Sequence, residues 1–149
     1  MEREDQRQLA TDCFNTAWTL MDKQDRTRDD DDEMLHCAHA SAYHWYQVGT
    51  AANRARSEWQ CARVYAILGR TEPALHHAHR CLEIVEASPA EMEEFDLPAA
   101  YEALARAYAV AGNLDESRRY VELGREATAE IEDEDDRTHM EADFATIGA

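Results

Sequence analysis

Ala62-Arg63-Val64-Tyr65-Ala66-Ile67-Leu68-Gly69 returns 43 residues later as Ala105-Arg106-Ala107-Tyr108-Ala109-Val110-Ala111-Gly112. Each copy follows an amphipathic run, stops on a glycine and opens into a second helical run. Self-similarity at such a spacing marks a stack of helix-turn-helix units, none of which buries its apolar face alone.

Working outward from the two copies, the 3.6-residue periodicity predicts seven helices. The first runs from about Glu4 to Asp22, with Leu9, Cys13, Ala17 and Leu20 forming its apolar stripe. An acidic linker, Gln24 to Asp31, offers aspartates to cap the second helix, about Asp32 to Val48, which stops at Gly49. The third runs from about Ala52 to Leu68. Thr71 is placed as N-cap, with Pro73 in the first turn, for a fourth helix reaching about Ala87. Ser88-Pro89 ends it and an acidic insert, Glu91 to Asp96, follows. The fifth covers about Leu97 to Ala111 and the sixth about Leu114 to Ile131. A last helix, about Arg137 to Ile147, carries Met140, Phe144 and Ile147 on one side and suits a solvating cap. Ala62, Tyr65, Leu68, Ala74, Ala78, Leu82, Leu104, Ala105 and Tyr108 are expected in the core.

The pattern Ala-x-x-Tyr-x-x-x-Gly resembles the tetratricopeptide (TPR) repeat over the middle and C-terminal two thirds of the chain. The resemblance implies an all-α fold: a right-handed superhelix of three antiparallel helix pairs, over about residues 4–48, 52–87 and 97–131, with a capping helix over 137–147. The first pair departs from the pattern, because its first helix has no glycine stop and its turn is a long charged linker. The resemblance also implies a class of task, holding a peptide or partner helix in a concave groove.

Composition bounds the function. The 149 residues carry 15 Lys and Arg against 32 Asp and Glu, a net charge of -17. Such a field repels phosphate, which argues against nucleic acid and anionic membrane surfaces as partners. No apolar run approaches the ~18 residues of a membrane span. The acidic N-terminus does not read as a signal peptide, and a cytoplasmic location is expected. Cys13, Cys37, Cys61 and Cys81 lie singly along helices and read as small hydrophobes. No phosphate loop, nucleophile elbow or His-Glu-x-x-His motif is present, so the expectation is a non-enzymatic protein without a cofactor.

Two constellations stand out. Leu35-His36-Cys37-Ala38-His39 aligns with Leu75-His76-His77-Ala78-His79, so His36, His39, His76 and His79 could present four imidazoles to a metal ion from neighbouring helices. A metal-binding or metal-responsive protein is therefore an alternative reading. The other reading of these faces is a solvated surface pointing away from the apolar arc. In the second constellation, Arg56, Trp59 and Arg63 share one face of the third helix, and Glu102 and Arg106 hold corresponding places on the fifth. If these look into the groove, the paired guanidiniums suit a partner's carboxylate and Trp59 supplies an anchor. The competing reading pairs Arg63 and Arg106 internally with Glu102 and Glu58, with Trp59 filling the gap between helices. Tyr43 and Tyr46 could instead seam a homodimer.

Overall fold

The computed structural model describes residues 1–148. Among them lie seven α-helices: α1 (Arg3–Asp22), α2 (Arg28–Val48), α3 (Ala51–Ile67), α4 (Thr71–Ala87), α5 (Asp96–Val110), α6 (Leu114–Ala129) and α7 (Glu134–Ala145). A single 3-10 turn, Pro89–Glu91, separates α4 from α5, and no strand occurs among the described residues.

The connections dictate how the helices pair. A twenty-residue α1 is about 30 Å long, whereas the five residues joining it to α2 span at most ~18 Å, so α2 must double back along α1. The cross-links follow that course. Lys23 meets Asp30 at the turn, Ser41 Oγ donates to the Ala10 carbonyl midway, and Arg7 reaches the Val48 carbonyl at the far end. The most extensive contacts lie within α1–α2, α3–α4 and α5–α6, and α3 in turn packs on α5.

The repeated glycines set the turns inside the second and third pairs. Gly69 and Gly112 have φ of 71° and 82°, the left-handed conformation that closes a helix cheaply only without a Cβ. In each, the residue after the glycine returns its N–H to the carbonyl of the repeated tyrosine: Arg70 to Tyr65 and Asn113 to Tyr108, both at 2.9 Å. The motif therefore encodes both the stop and the acceptor that completes it.

Alanine dominates the interior and lets helix axes approach closely. One cluster joins Ala62, Ala66, Ala74, Ala78, Leu104, Ala105 and Tyr120 across α3 to α6. A second, Ala17, Met34, Ala38, Cys61 and Val64, docks the first pair onto α3. A third, Ile131, Met140 and Phe144, seats α7. Of the expected core, Ala62, Ala74, Ala78, Leu104 and Ala105 are buried, while Tyr65, Leu68, Leu82 and Tyr108 are half-buried against it.

Several boundaries differ from those expected. α2 begins four residues early, because Thr27 caps it: its hydroxyl accepts from the Asp30 N–H, and Asp30 accepts from the Thr27 N–H. Three aspartates then sit on the positive end of the helix dipole rather than in a linker. Thr71 is the first residue of α4 rather than its cap, and it follows an Arg70 that caps with no side chain. α7 starts three residues early on an Asp133 cap that accepts from the Asp136 N–H. On α1 the buried line runs through Ala10 and Ala17, leaving Leu9 exposed.

Candidate functional site

Glu102 gathers the groove residues around one carboxylate. It lies on α5 with 1% of its surface exposed. Its Oε1 accepts from Arg63 Nη1 at 3.0 Å and from Arg106 Nε at 2.7 Å, and its Oε2 accepts from Trp59 Nε1 at 3.0 Å. Arg106 continues through Nη2 to Thr146 Oγ1 at 2.7 Å and to the Asp143 carbonyl at 3.2 Å, tying α5 to the end of α7. Burial pulls the Arg63 guanidinium below the usual arginine range, with the Glu102 charge opposing the shift.

Trp59 is held on two further sides. Its ring stacks on Trp18 of α1 at 5.5 Å, and the Arg63 guanidinium lies over it at 5.8 Å. Closer to the N-terminus of α3, Arg56 grips Asp96 with two bonds, Nε–Oδ1 at 3.0 Å and Nη2–Oδ2 at 2.9 Å, and lies over Phe95.

All five sequence-derived groove residues thus meet on one surface, that of the odd-numbered helices. Arg63 and Arg106 both bond Glu102, whereas Glu58 faces the other way, toward His77 and Tyr46. In front of Trp59 opens a cavity of about 300 Å³. Its walls come from α1 (Phe14, Trp18), α3 (Ala55, Arg56, Trp59), the start of α5 (Phe95, Asp96, Ala99) and α7 (Asp136, His139, Met140, Asp143), with Cys81 at its floor. The walls are mainly apolar, and the first and last helices face each other across them.

The contribution of α7, Trp18 and Phe95 was not legible from the repeat. The i, i+3, i+4, i+7 spacing of Asp136, His139, Met140 and Asp143 marks one helical face, but nothing in the sequence says what that face looks at.

The histidines go elsewhere. His36 and His76 are exposed. His39 and His79 do not point away from the apolar arc as expected. His39 Nε2 shares a hydrogen bond with the Tyr65 hydroxyl at 2.8 Å, and His79 Nε2 shares one with the Tyr108 hydroxyl at 3.0 Å. The two sequence repeats therefore interlock, each His-x-x-His binding the tyrosine of the next Ala-x-x-Tyr. Among the described residues, no three His, Cys, Asp or Glu side chains are arranged to hold a metal ion. Of the exposed aromatics expected at a dimer seam, Tyr43 is 64% exposed and Tyr46 38%, and Tyr46 also donates its hydroxyl to Glu58 at 2.6 Å.

Behind the cleft, a second polar cluster joins α2, α3 and α4. His77 Nδ1 donates to Glu58 at 2.6 Å, and the His77 ring stacks on Tyr65. His39 lies 5.5 Å from His77 and 3.9 Å, through Nδ1, from the Cys61 thiol, which burial pushes up to about 12. Burial, then the charge of His77, lowers the pKa of His39. Burial opposes ionisation of Glu58, but the bonds from His77 and Tyr46 outweigh it and hold the carboxyl below its ordinary value.

Both shifts make acid destabilising. The unfolded chain protonates at His39 before the folded one does, so stability falls once pH drops into the ordinary histidine range near 6.5 and levels off below the lowered folded value. The stability from Glu58 is complete above the ordinary carboxylate value near 4.5 and is lost as pH falls through its lowered folded value. Chemical denaturation should show two separate losses on acidification, and His39→Gln should remove the upper one. A stability that is flat from pH 8 to 5.5, or unchanged in its slope by His39→Gln, would contradict this assignment.

Compared with protein-family models, with curated proteins and with solved structures, the chain finds no match in any of the three. Among the described residues, no helix is long and apolar enough to cross a membrane.

Proposed function

We propose that the chain is a non-enzymatic interaction module of TPR type, whose cleft holds a peptide or helix of a partner protein. The cavity in front of Trp59 carries this reading. Its size matches the lower end of ligand sites, and its apolar walls lie open on a molecule that is otherwise strongly acidic. Trp59 is the proposed anchor, since a rigid aromatic fixed on three sides loses little freedom on binding.

The roles of the other groove residues follow from what their polar groups already hold. Arg56 and Trp59 line the cavity. Arg63, Glu102 and Arg106 stand behind it, and each guanidinium is paired with Glu102 through one bond, so they serve here as braces for Trp59 rather than as hands for a partner's carboxylate.

The test is to block the cavity without touching the braces. Ala99 is half-buried on the cavity wall, and Ala99→Trp places an indole in the space. Peptides selected from a random library on the full chain should bind with micromolar affinity, shift the fluorescence of Trp18 and Trp59, and lose about tenfold or more with Ala99→Trp. Failure to enrich any peptide, or equal binding to Ala99→Trp with an intact melting curve, would remove the cleft as the binding site.

A further inference from the structure

Resting on that reading of the cleft, we infer that the segment it accepts is basic: a bulky apolar residue that enters the cavity, with a Lys or Arg about one helical turn away that meets Asp136 and Asp143 of α7. The inference follows from which charges around the cavity are already satisfied. Three arginines approach it, and all three are committed. Arg56 is bidentate on Asp96, and Arg63 and Arg106 converge on Glu102. Both of those carboxylates are buried and fully engaged in turn.

On the cavity wall itself the charge left without a close partner is negative and lies on one face of α7. Asp136 lines the cavity, is exposed, and makes no side-chain hydrogen bond or ion pair among the described residues. One face-repeat further along, the Asp143 carboxylate has His139 as its ion-pair contact, at 3.4 Å, a histidine that is 64% exposed and charged only when protonated, and its charge also acts at longer range on Arg63. Met140 lies between them, so the apolar wall and the two carboxylates alternate along a single helix, as an apolar anchor and a nearby cation would require.

Complementarity of this kind sets partner choice and encounter rate more than raw affinity. The net charge of -17 extends the same preference over the whole molecule, drawing cations toward the cleft and repelling an acidic segment. The one guanidinium on the cavity wall, that of Arg56, is already paired with Asp96 through two bonds.

The test uses peptides selected from a random library on the full chain, assayed by fluorescence anisotropy against the wild type, Asp136→Asn, and Asp136→Asn/Asp143→Asn. The single variant changes an exposed side chain without partners, so it reports even if the double one is less stable. Asp143→Asn keeps the backbone carbonyl that Arg106 uses. Enriched peptides should pair an aromatic or Leu residue with Lys or Arg three or four positions away. Their affinity should fall about tenfold in the double variant, several-fold in the single one, and steeply between about 50 and about 500 mM salt. Enrichment of neutral or acidic peptides, or equal binding to both aspartate variants, overturns the inference. If such peptides are still excluded by Ala99→Trp, the cleft remains the binding site and only the basic partner is lost. Peptides indifferent to all three variants would overturn both readings.

Discussion

Replacing Glu102 with alanine is expected to cost about 3–5 kcal/mol of folding stability, because it strands two guanidiniums in a largely buried site with no carboxylate left in ion-pair contact. Arg63 and Arg106 keep only 19% and 16% of their side-chain surface exposed, so water cannot take over the role of the carboxylate. The indole N–H of Trp59 loses its acceptor in the same step. Charge, not volume, should dominate the loss. The check is a comparison with Glu102→Leu combined with Arg63→Met and Arg106→Met, which removes all three charges while keeping the bulk. That variant should recover most of the stability, since a buried ionic cluster replaced entirely by apolar side chains often costs little. A loss below ~1 kcal/mol in Glu102→Ala would mean that solvent reaches the cluster and that it braces nothing.

The second large effect is at Gly124, in the middle of α6. Elsewhere an exposed helical glycine would be improved by alanine, by roughly 1 kcal/mol. Here a Cβ would overlap the ring of Phe144, which is 2% exposed and packed into the cluster with Ile131 and Met140. The rigid ring is almost fully buried, so relieving the overlap displaces it and the part of α7 that carries it. Overpacking of this kind costs about 1–3 kcal/mol, which outweighs the propensity gain. Gly124→Ala should therefore destabilise the protein and, more tellingly, raise amide exchange in α7 while leaving α3 and α4 protected. Gly124→Ala/Phe144→Leu should restore much of that protection. A Gly124→Ala protein more stable than the wild type would show that Phe144 is not seated on α6. The substitution also bears on the cleft, because Met140 and His139 form one of its walls from the same helix.

The repeat made much of the architecture legible. Glycine at 69 and 112 stops a helix for a local reason, the positive φ that only a residue without Cβ adopts cheaply, and local reasons survive in sequence. The alanine lines of α3 to α5 are also periodic, and Ala62, Ala74, Ala78 and Ala105, expected in the core, are buried. What escaped were features set by a specific pairing of side chains, one of them local and the others between distant residues. Thr27 and Asp30 form a cap that looks, in one dimension, like more acidic linker. Arg56 and Asp96 are 40 residues apart, and Asp96 reads as part of a charged insert until the fold brings it to the guanidinium. The five groove residues could be gathered on one surface by helical phase alone. Whether their charges face a partner or each other depended on the carboxylate between them, and phase does not contain that distance. His39 shows the same limit: its spacing is right for a surface pair, and the Tyr65 hydroxyl turns it inward.

Two of the helices that border the cleft come from opposite ends of the chain: Phe14 and Trp18 lie on α1, His139 and Met140 on α7. An open array of helix pairs behaves as a line, in which each unit leans on its neighbours and either end can fray alone. A segment seated between α1 and α7 joins those ends and turns the line into a ring. Fraying of the first helix would then have to break the contact that also holds the last. An occupied cleft would make the two ends of this chain unzip together, so that the partner acts as the clasp of a bracelet.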